Sequence, residues 1–389
     1  MPVITNIEDL RQLARRKIPR AIFDYVDRGS YDEITYSANS FELKDIRFRQ
    51  RVLLDATKRS LGTTMLGEQV SMPVAIAPTG LTGLVHGNGE ILAAQAAEAA
   101  GTRYCLSTMS ICSIEDVRAA TKQPFWFQLY VFRDRKFSES VIARARAAGC
   151  TALFVTVDLP LRGQRHADLK NGLEVPPKLR MRNLFDIASK PAWALKVLMG
   201  KRKSFGNIDA YLKSKGGVWA AGRWANDNFD STLSWRDIEW VRKLWPGKLV
   251  LKGILDPEDA KTAAKVGADA IVVSNHGGRQ LDGAPATVTV LPDIADAVGN
   301  KLEVLFDGGV RSGQDVLKAL ALGAHGCMIG RAYLYGLGAM GGAGVKTALD
   351  IIRKELEVSM SLTGVRDVRK VSRDILYGEN KSAAQKKRK

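Results

Sequence analysis

Cysteine and histidine are scarce in this chain, four of each among 389 residues. Cys105, Cys112, Cys150 and Cys327 lack metal-ligand spacing, and His86, His166, His276 and His325 stand apart, so no metal cage is expected. Three of the four cysteines lie in or beside apolar segments and read as reduced core residues, which suits a reducing compartment. No apolar run is long enough to span a bilayer, and no apolar h-region marks a secretory signal near the N-terminus. The dinucleotide fingerprint GxGxxG is missing after the first candidate strand, where His86-Gly87-Asn88-Gly89-Glu90 holds only GxG. No CxxCH haem-attachment motif occurs. Acids are also in deficit: 41 Asp and Glu stand against 58 Lys and Arg, a formal charge of +17.

What is present is a repeat of short apolar strand, polar turn and amphipathic helix. Candidate strands fall at 74–77, 103–106, 125–129, 153–157, 249–252, 270–273, 303–306 and 326–329, which makes eight. Candidate helices fall at 89–100, 114–120, 137–148, 257–266, 286–298 and 314–322, several ending at a glycine such as Gly101, Gly149, Gly267 or Gly323. Eight such units favour an α/β fold of the (β/α)₈ TIM-barrel type over an open doubly wound sheet. We read residues 1–380 as one barrel domain, with an N-terminal helical segment at 1–72 that caps one barrel end through helices at 7–16, 20–28 and 31–41. Residues 161–246 form a long basic insert after strand 4, too long for an ordinary loop, with a mobile first part and a short helix at 234–244. Residues 381–389 form a basic tail expected to be disordered.

Barrel enzymes place their chemistry at the C-terminal strand ends. Read in order, those ends supply Thr79 and Gly80, then Ser107 and Met109, then Gln128 and Tyr130, then Thr156 and Asp158 with Arg165 just beyond. Lys252 finishes the fifth strand. Ser274-Asn275-His276-Gly277-Gly278-Arg279-Gln280 follows the sixth and puts a base and an anion binder on a glycine-rich turn. Asp307-Gly308-Gly309-Val310-Arg311 and Gly330-Arg331 follow the seventh and eighth, where backbone N–H groups and arginines can cradle a phosphate. The pattern points to a phosphate-bearing cofactor over the barrel mouth with Lys252 beneath it. Arg165 and Arg279 can clamp a small carboxylate, His276 can take a proton, Asp158 can hold the imidazole, and Tyr25 and Tyr130 supply hydroxyls. These residues alone do not name the cofactor: a barrel acting on a sugar phosphate would satisfy much of the same pattern.

Ser274-Asn275-His276-Gly277-Gly278-Arg279-Gln280-Leu281-Asp282 resembles the active-site signature of the FMN-dependent 2-hydroxy-acid dehydrogenase/oxidase family. Asp307-Gly308-Gly309-Val310-Arg311, Phe127-Gln128-Leu129-Tyr130 and Val250-Leu251-Lys252-Gly253 agree with that family in order and strand position. The resemblance runs over about residues 5–375, and the stretch from Lys252 through Asp256-Pro257-Glu258-Asp259-Ala260 is most like bacterial quinone-linked members that oxidise L-lactate. It implies FMN as cofactor, His276 as base and Asp158 as its partner, with Arg165, Arg279, Tyr25 and Tyr130 on the substrate carboxylate. It implies that Lys252 faces the flavin N1/C2 carbonyl region, that Ser107, Gln128 and Thr156 bond the isoalloxazine, and that Thr79 and Gly80 lie against it through backbone. Ser274 joins the cofactor set, and Asp307, Gly309, Arg311, Gly330 and Arg331 would hold the ribityl chain and phosphate. The implied reaction turns an (S)-2-hydroxy acid, L-lactate foremost, into a 2-oxo acid. The alternatives are an oxygen-using glycolate/lactate-type oxidase and an (S)-mandelate dehydrogenase. Met109 stands where the substrate side chain is expected and leaves room for a methyl group and more.

From residue 161 to 215 there are 13 Lys and Arg against 4 Asp and Glu. Arg180, Arg182, Lys190, Lys196, Lys201, Arg202 and Lys203 alternate with Leu184, Phe185, Trp193, Leu195, Val197 and Leu198, a composition that suits an anionic membrane surface. The resemblance implies the same: a peripheral protein on the cytoplasmic face of the inner membrane, a quinone as electron acceptor, and a homotetramer. With charge gathered in an insert and a tail, and no aromatic platform on a recognised fold, no nucleic-acid partner is expected.

Overall fold

Short apolar runs, buried on both faces, form the strands β1 (Val74–Ile76), β2 (Arg103–Ser107), β3 (Trp126–Leu129), β4 (Ala152–Thr156), β5 (Lys248–Ile254), β6 (Ala270–Val273), β7 (Glu303–Phe306) and β8 (Gly326–Ile329). In this computed structural model, which describes residues 2–55, 57–173, 181–213 and 217–378, the strands close into a parallel barrel in chain order. Cys327 of β8 pairs with Val74 of β1 to seal it. The barrel expectation therefore holds and the open sheet does not. Inside, Ala75, Cys105, Trp126, Phe154, Val250, Val272, Leu305 and Met328 fill the lumen as a packed core. All four cysteines are buried and unpaired.

The bottom of the barrel is closed by a device that the sequence reading missed. An antiparallel hairpin, Thr63–Met65 with Glu68–Val70, turns at Leu66 and Gly67, both at positive φ (52° and 81°). It pushes the fully buried Met65 into the lumen. Glu68 ties the hairpin to three strand bases, accepting from Trp126 Nε1 and Thr151 Oγ1 at 2.7 Å and pairing with Arg103 at 2.8 Å.

The N-terminal helices go to the opposite rim. They are α1 (Ile7–Lys17), started by a reciprocal Asn6–Asp9 capping box, α2 (Arg20–Asp27) and α3 (Ile34–Asp45). The third begins at Ile34 and not at 31, because Ser30 and Tyr31 direct their N–H groups to Gly278 and Gln164 carbonyls, both at 2.9 Å. A buried amide pair locks α3 to the turn after β6: Asn39 donates to Asn275 at 2.9 Å and Asn275 donates back at 2.8 Å.

The insert is more regular than expected. Among the described residues it forms helices His166–Lys170, Met181–Ala188, Pro191–Met199, Gly206–Leu212, Gly217–Asn228 and Trp235–Leu244. Pro191–Met199 is pinned on its inner side, where Trp193 Nε1 donates to the Leu84 carbonyl at 2.9 Å and Lys190 Nζ to that of Arg16 at 2.8 Å. Phe185, Leu195, Leu198 and Met199 point outward, each more than half exposed. Among the described residues no helix is long and apolar enough to cross a membrane. Arg180 and the tail at 381–389 lie outside the described residues.

Candidate active site

Strand β5 carries a bulge at its end. Its pairing with β6 skips from Lys252↔Val272 to Ile254↔Val273, leaving Gly253 out at φ 111°. Only glycine serves there, since a Cβ would stand 2.6 Å from the Cβ of Asp158. The Lys252 side chain is only 6 % exposed; its Nζ donates to Ser274 Oγ at 2.7 Å and pairs with Asp307 Oδ2 at 2.8 Å. Burial alone would lower its pKa, but the carboxylates of Asp307 and Asp158 outweigh burial and raise it. A charged ammonium therefore sits under the barrel mouth. Beside it, Asp307 Oδ1 is buried without a partner.

His276 follows β6 in the left-handed region at φ 58°, a conformation that a β-carbon resists and that the turn enforces. Its N–H donates to Ser274 Oγ at 3.1 Å, and its Nδ1 lies 2.9 Å from Asp158 Oδ1. Burial pushes the Asp158 pKa up, yet the interaction and hydrogen bond with the His276 ring and the charge of Lys252 pull it below the ordinary carboxylate value. An ionised Asp158 makes Nδ1 the donor and leaves Nε2 as the basic nitrogen. Gln280 fixes the carboxylate's loop by donating to the carbonyls of Asp158 at 2.9 Å and Leu161 at 3.0 Å.

Two guanidinium groups meet on this side. Arg165 Nε donates to the Arg279 carbonyl at 3.4 Å, and the Arg165 side chain is only 9 % exposed. Burial and then the charge of Arg279 press its pKa down to about 9. Arg279 Nη1 donates to the carbonyls of Tyr25 at 2.7 Å and Arg28 at 2.8 Å, and its guanidinium lies 4.9 Å from the Tyr25 ring centre. Tyr130 is kept protonated, because burial and the nearby Asp158 charge both raise its pKa.

Ser107 Oγ donates to Gln128 Oε1 at 3.0 Å, and Gln128 Nε2 donates to Thr156 Oγ1 at 2.9 Å. This relay is buried. A cavity of about 490 Å³ opens over it, lined by Thr79, Gly80, Ser107, Met109, Tyr130, Arg165, Lys252, His276, Arg279, Asp307, Gly309, Arg311, Gly330 and Arg331, with Tyr25 above. Thus most residues singled out from sequence reach one chamber. Gln128, Thr156, Ser274 and Asp158 do not line it: they stand behind Ser107, Lys252 and His276 and orient them. Arg331 lines the chamber but commits its guanidinium elsewhere. Its guanidinium donates to the carbonyls of Val26 and Arg28 at 3.0 Å and Gly277 at 2.8 Å and lies over Tyr36, so it stitches the N-terminal helices to the β6 turn. Gly330 still opens helix Arg331–Met340 with no side-chain cap, beside Arg311 and Gly309.

The chamber's size, its uncapped helix start, the spare Asp307 oxygen and the buried ammonium suit a flat cofactor with an anionic tail. The model of the family described as FMN-dependent dehydrogenase matches residues 14–378. The chain belongs to this family. Within it, the enzyme falls among the 2-hydroxy-acid dehydrogenases and oxidases. It is 51% identical over 375 residues to an L-lactate dehydrogenase of Caulobacter vibrioides, covering 96% of this chain and 98% of that one. An L-lactate dehydrogenase of Vibrio parahaemolyticus is 48% identical, with 96% and 99% covered. Among solved structures, a monotopic membrane protein, (S)-mandelate dehydrogenase, superposes with a TM-score of 0.92 at 35% identity, covering 97% of this chain and all (100%) of that one. A soluble mutant of the membrane-associated (S)-mandelate dehydrogenase of Pseudomonas putida gives 0.81 at the same 35% identity and the same coverage, 97% and 100%.

Sequence reading missed part of this flavoenzyme's chamber. Leu159, Leu173, Phe205, Val218, Ala225 and Phe229 add apolar lining to the polar groups. Two of them, Val218 and Ala225, come from the insert helix Gly217–Asn228, whose packing against the rim no local pattern reveals. Asn39 and Gln280 also went unassigned; only the amide side chain beside the β6 signature hinted at the second.

Proposed function

We propose that this FMN-dependent enzyme oxidises an (S)-2-hydroxy acid, L-lactate foremost, to the 2-oxo acid and delivers the electrons to a membrane quinone. The observation that carries the reading is the pairing of His276 with an ionised Asp158 beside two guanidinium groups at one cavity. FMN, when bound, accepts the two electrons released as the hydroxyl carbon becomes a carbonyl. Arg165 and Arg279 hold the carboxylate, and the Tyr25 and Tyr130 hydroxyls complete its seat. That grip turns the substrate hydroxyl toward His276, whose Nε2 accepts the proton leaving the substrate. Asp158 at Nδ1 stabilises the imidazolium that results. Lys252 supplies fixed positive charge where electron density grows. Ser107, Gly80 and Thr79 face the ring space, and Gly309, Arg311 and Gly330 suit the tail with its phosphate.

Two sets of facts support the finer choices. The curated relatives of about half identity are L-lactate dehydrogenases. The outward Phe185, Leu195, Leu198 and Met199, with Lys190, Lys196, Lys201 and Lys203 close in sequence, match a surface that enters a headgroup layer, and the monotopic relative superposes better than the soluble mutant. A second reading, (S)-mandelate oxidation, is favoured by the chamber's apolar lining and by the same structural likeness. Anaerobic mixing with L-lactate, (S)-mandelate and glycolate while following flavin absorbance decides between them. We expect the fastest bleaching with L-lactate, then faster reoxidation by a quinone analogue than by oxygen. No bleaching with any 2-hydroxy acid would refute the proposal.

A further inference from the structure

Behind the chamber wall lies a polar side chain to which the reaction assigns no part. Glu90, in the first turn of helix Gly89–Ala99, is fully buried (0 % exposed). Its Oε1 accepts from the backbone N–H of Gly83 at 3.0 Å and of Ile111 at 2.8 Å. Its Oε2 and the nearby buried Tyr104 hydroxyl have no partner. Burial raises the Glu90 pKa against the opposing pull of these N–H bonds, so the neutral carboxyl is favoured. The groups facing it, Tyr104 and Cys112, are neutral too, since burial raises both.

The two N–H groups come from different strand ends. Gly83 lies in the one-turn helix Thr82–Val85 that follows β1, just beyond Thr79 and Gly80, and Ile111 on the turn after β2, just beyond Met109. The turns interlock closely. Leu81 N donates to the Met109 carbonyl at 2.9 Å, and a Cβ on Gly83 would stand 2.6 Å from the Cβ of Ile111. A Cβ on Gly80 would stand 3.2 Å from that of Met109. Thr79, Gly80, Leu81 and Met109 all line the chamber. One buried oxygen therefore joins two segments of the wall that faces the ring space and the substrate side chain.

We propose that Glu90 is a positioning residue that clamps the Gly80 and Met109 turns together, and so sets both the seat of the flavin and the size of side chain the wall admits. The inference rests on the chamber being the flavin and 2-hydroxy-acid site. Glu90→Gln keeps an Oε1 acceptor in place, Glu90→Ala removes it, and Gly83→Ala prises the turns apart with Glu90 intact. FMN affinity is read by quenching of flavin fluorescence on titrating apoprotein, and selectivity as the ratio of kcat/KM for L-lactate over (S)-mandelate. Glu90→Gln should stay within about twofold of the parent in both, whereas Glu90→Ala and Gly83→Ala should each weaken FMN and shift the ratio by roughly tenfold, through KM more than kcat. Parent-like FMN affinity and selectivity in a folded Glu90→Ala protein would overturn the clamp; if that variant does not fold, parent-like values for Gly83→Ala would overturn it. If the parent oxidises no 2-hydroxy acid, the function reading fails separately, and FMN affinity still judges the clamp.

Discussion

Arg165 and Arg279 face the chamber, and among the described residues their acidic neighbour is Asp168, 3.8 Å from Arg165; this arrangement costs stability. Pressing the Arg165 pKa from 12.5 to about 9 corresponds to about 5 kcal/mol against the charged group at this site. Arg165→Met removes the charge and keeps most of the apolar stem. Relaxation around the new side chain consumes much of that figure, and a net gain of about 1–2 kcal/mol would raise Tm by roughly 1–3 °C in a chain this long. Function should move the other way. A carboxylate that loses a buried guanidinium partner loses about 2–5 kcal/mol, which is roughly 30- to 5,000-fold in kcat/KM for L-lactate. The parent should also be stabilised by pyruvate, by about 2.7 kcal/mol at a hundredfold excess over its Kd, and the variant far less. Thermal melts with and without pyruvate, beside steady-state kinetics, test all three points. A variant that melts lower than the parent yet keeps its turnover would show that Arg165 is a structural strut, and the reasoning about an unfilled anion seat would fail.

His276→Gln should bind FMN with parent affinity but lose about 10²–10⁴-fold in turnover; equal turnover removes His276 from the base role. The Asp158 pKa is depressed on folding, so its stabilising contribution is present above the ordinary carboxylate value and is lost as pH falls through the lowered one. Asp158→Asn should accordingly melt below the parent at pH 7, with the gap closing as pH falls below the ordinary carboxylate range; a constant gap would disprove the coupling. Lys252 has the opposite sign: its raised pKa adds stability that persists at neutral pH and is lost only as pH climbs through its folded value, above about 10.4. Exchanging Phe185 and Leu198 for aspartate should abolish co-sedimentation with anionic vesicles while leaving L-lactate-driven flavin bleaching intact, and retained sedimentation would clear these helices of an anchoring role.

Much of the site was legible because barrel geometry converts sequence position into spatial position. Once eight strands were placed, the residue ending each one had to reach the same rim, and Lys252, His276 and Asp307 indeed meet there. Depth at the rim was not legible. Gln128 and Ser107 both follow from strand ends, but only the register, Ser107↔Gln128, puts one behind the other. The hairpin at Thr63–Val70 was lost for a related reason: each arm has three residues, too few to show an alternating period. The insert looked irregular because its helices are short and their apolar faces point two ways, Trp193 inward to Leu84 and Leu198 outward to solvent.

Arg331 shows what charge type alone leaves out at such a rim. An arginine at the start of a helix after β8 reads as a phosphate ligand, and its backbone neighbours do point to the chamber. Its guanidinium, however, satisfies carbonyls at Val26 and Arg28, which end α2 and begin the next turn, and the carbonyl of Gly277. Arg279 binds the Tyr25 and Arg28 carbonyls in the same way. Two buried cations thus converge on the C-terminal end of one short helix, where the helix dipole is negative and the last carbonyls lack partners. The same contacts hold Tyr25 over the chamber and hold the β6 turn that carries His276. The N-terminal segment is therefore part of the catalytic rim, and its role follows from carbonyl groups that every residue possesses and no motif records.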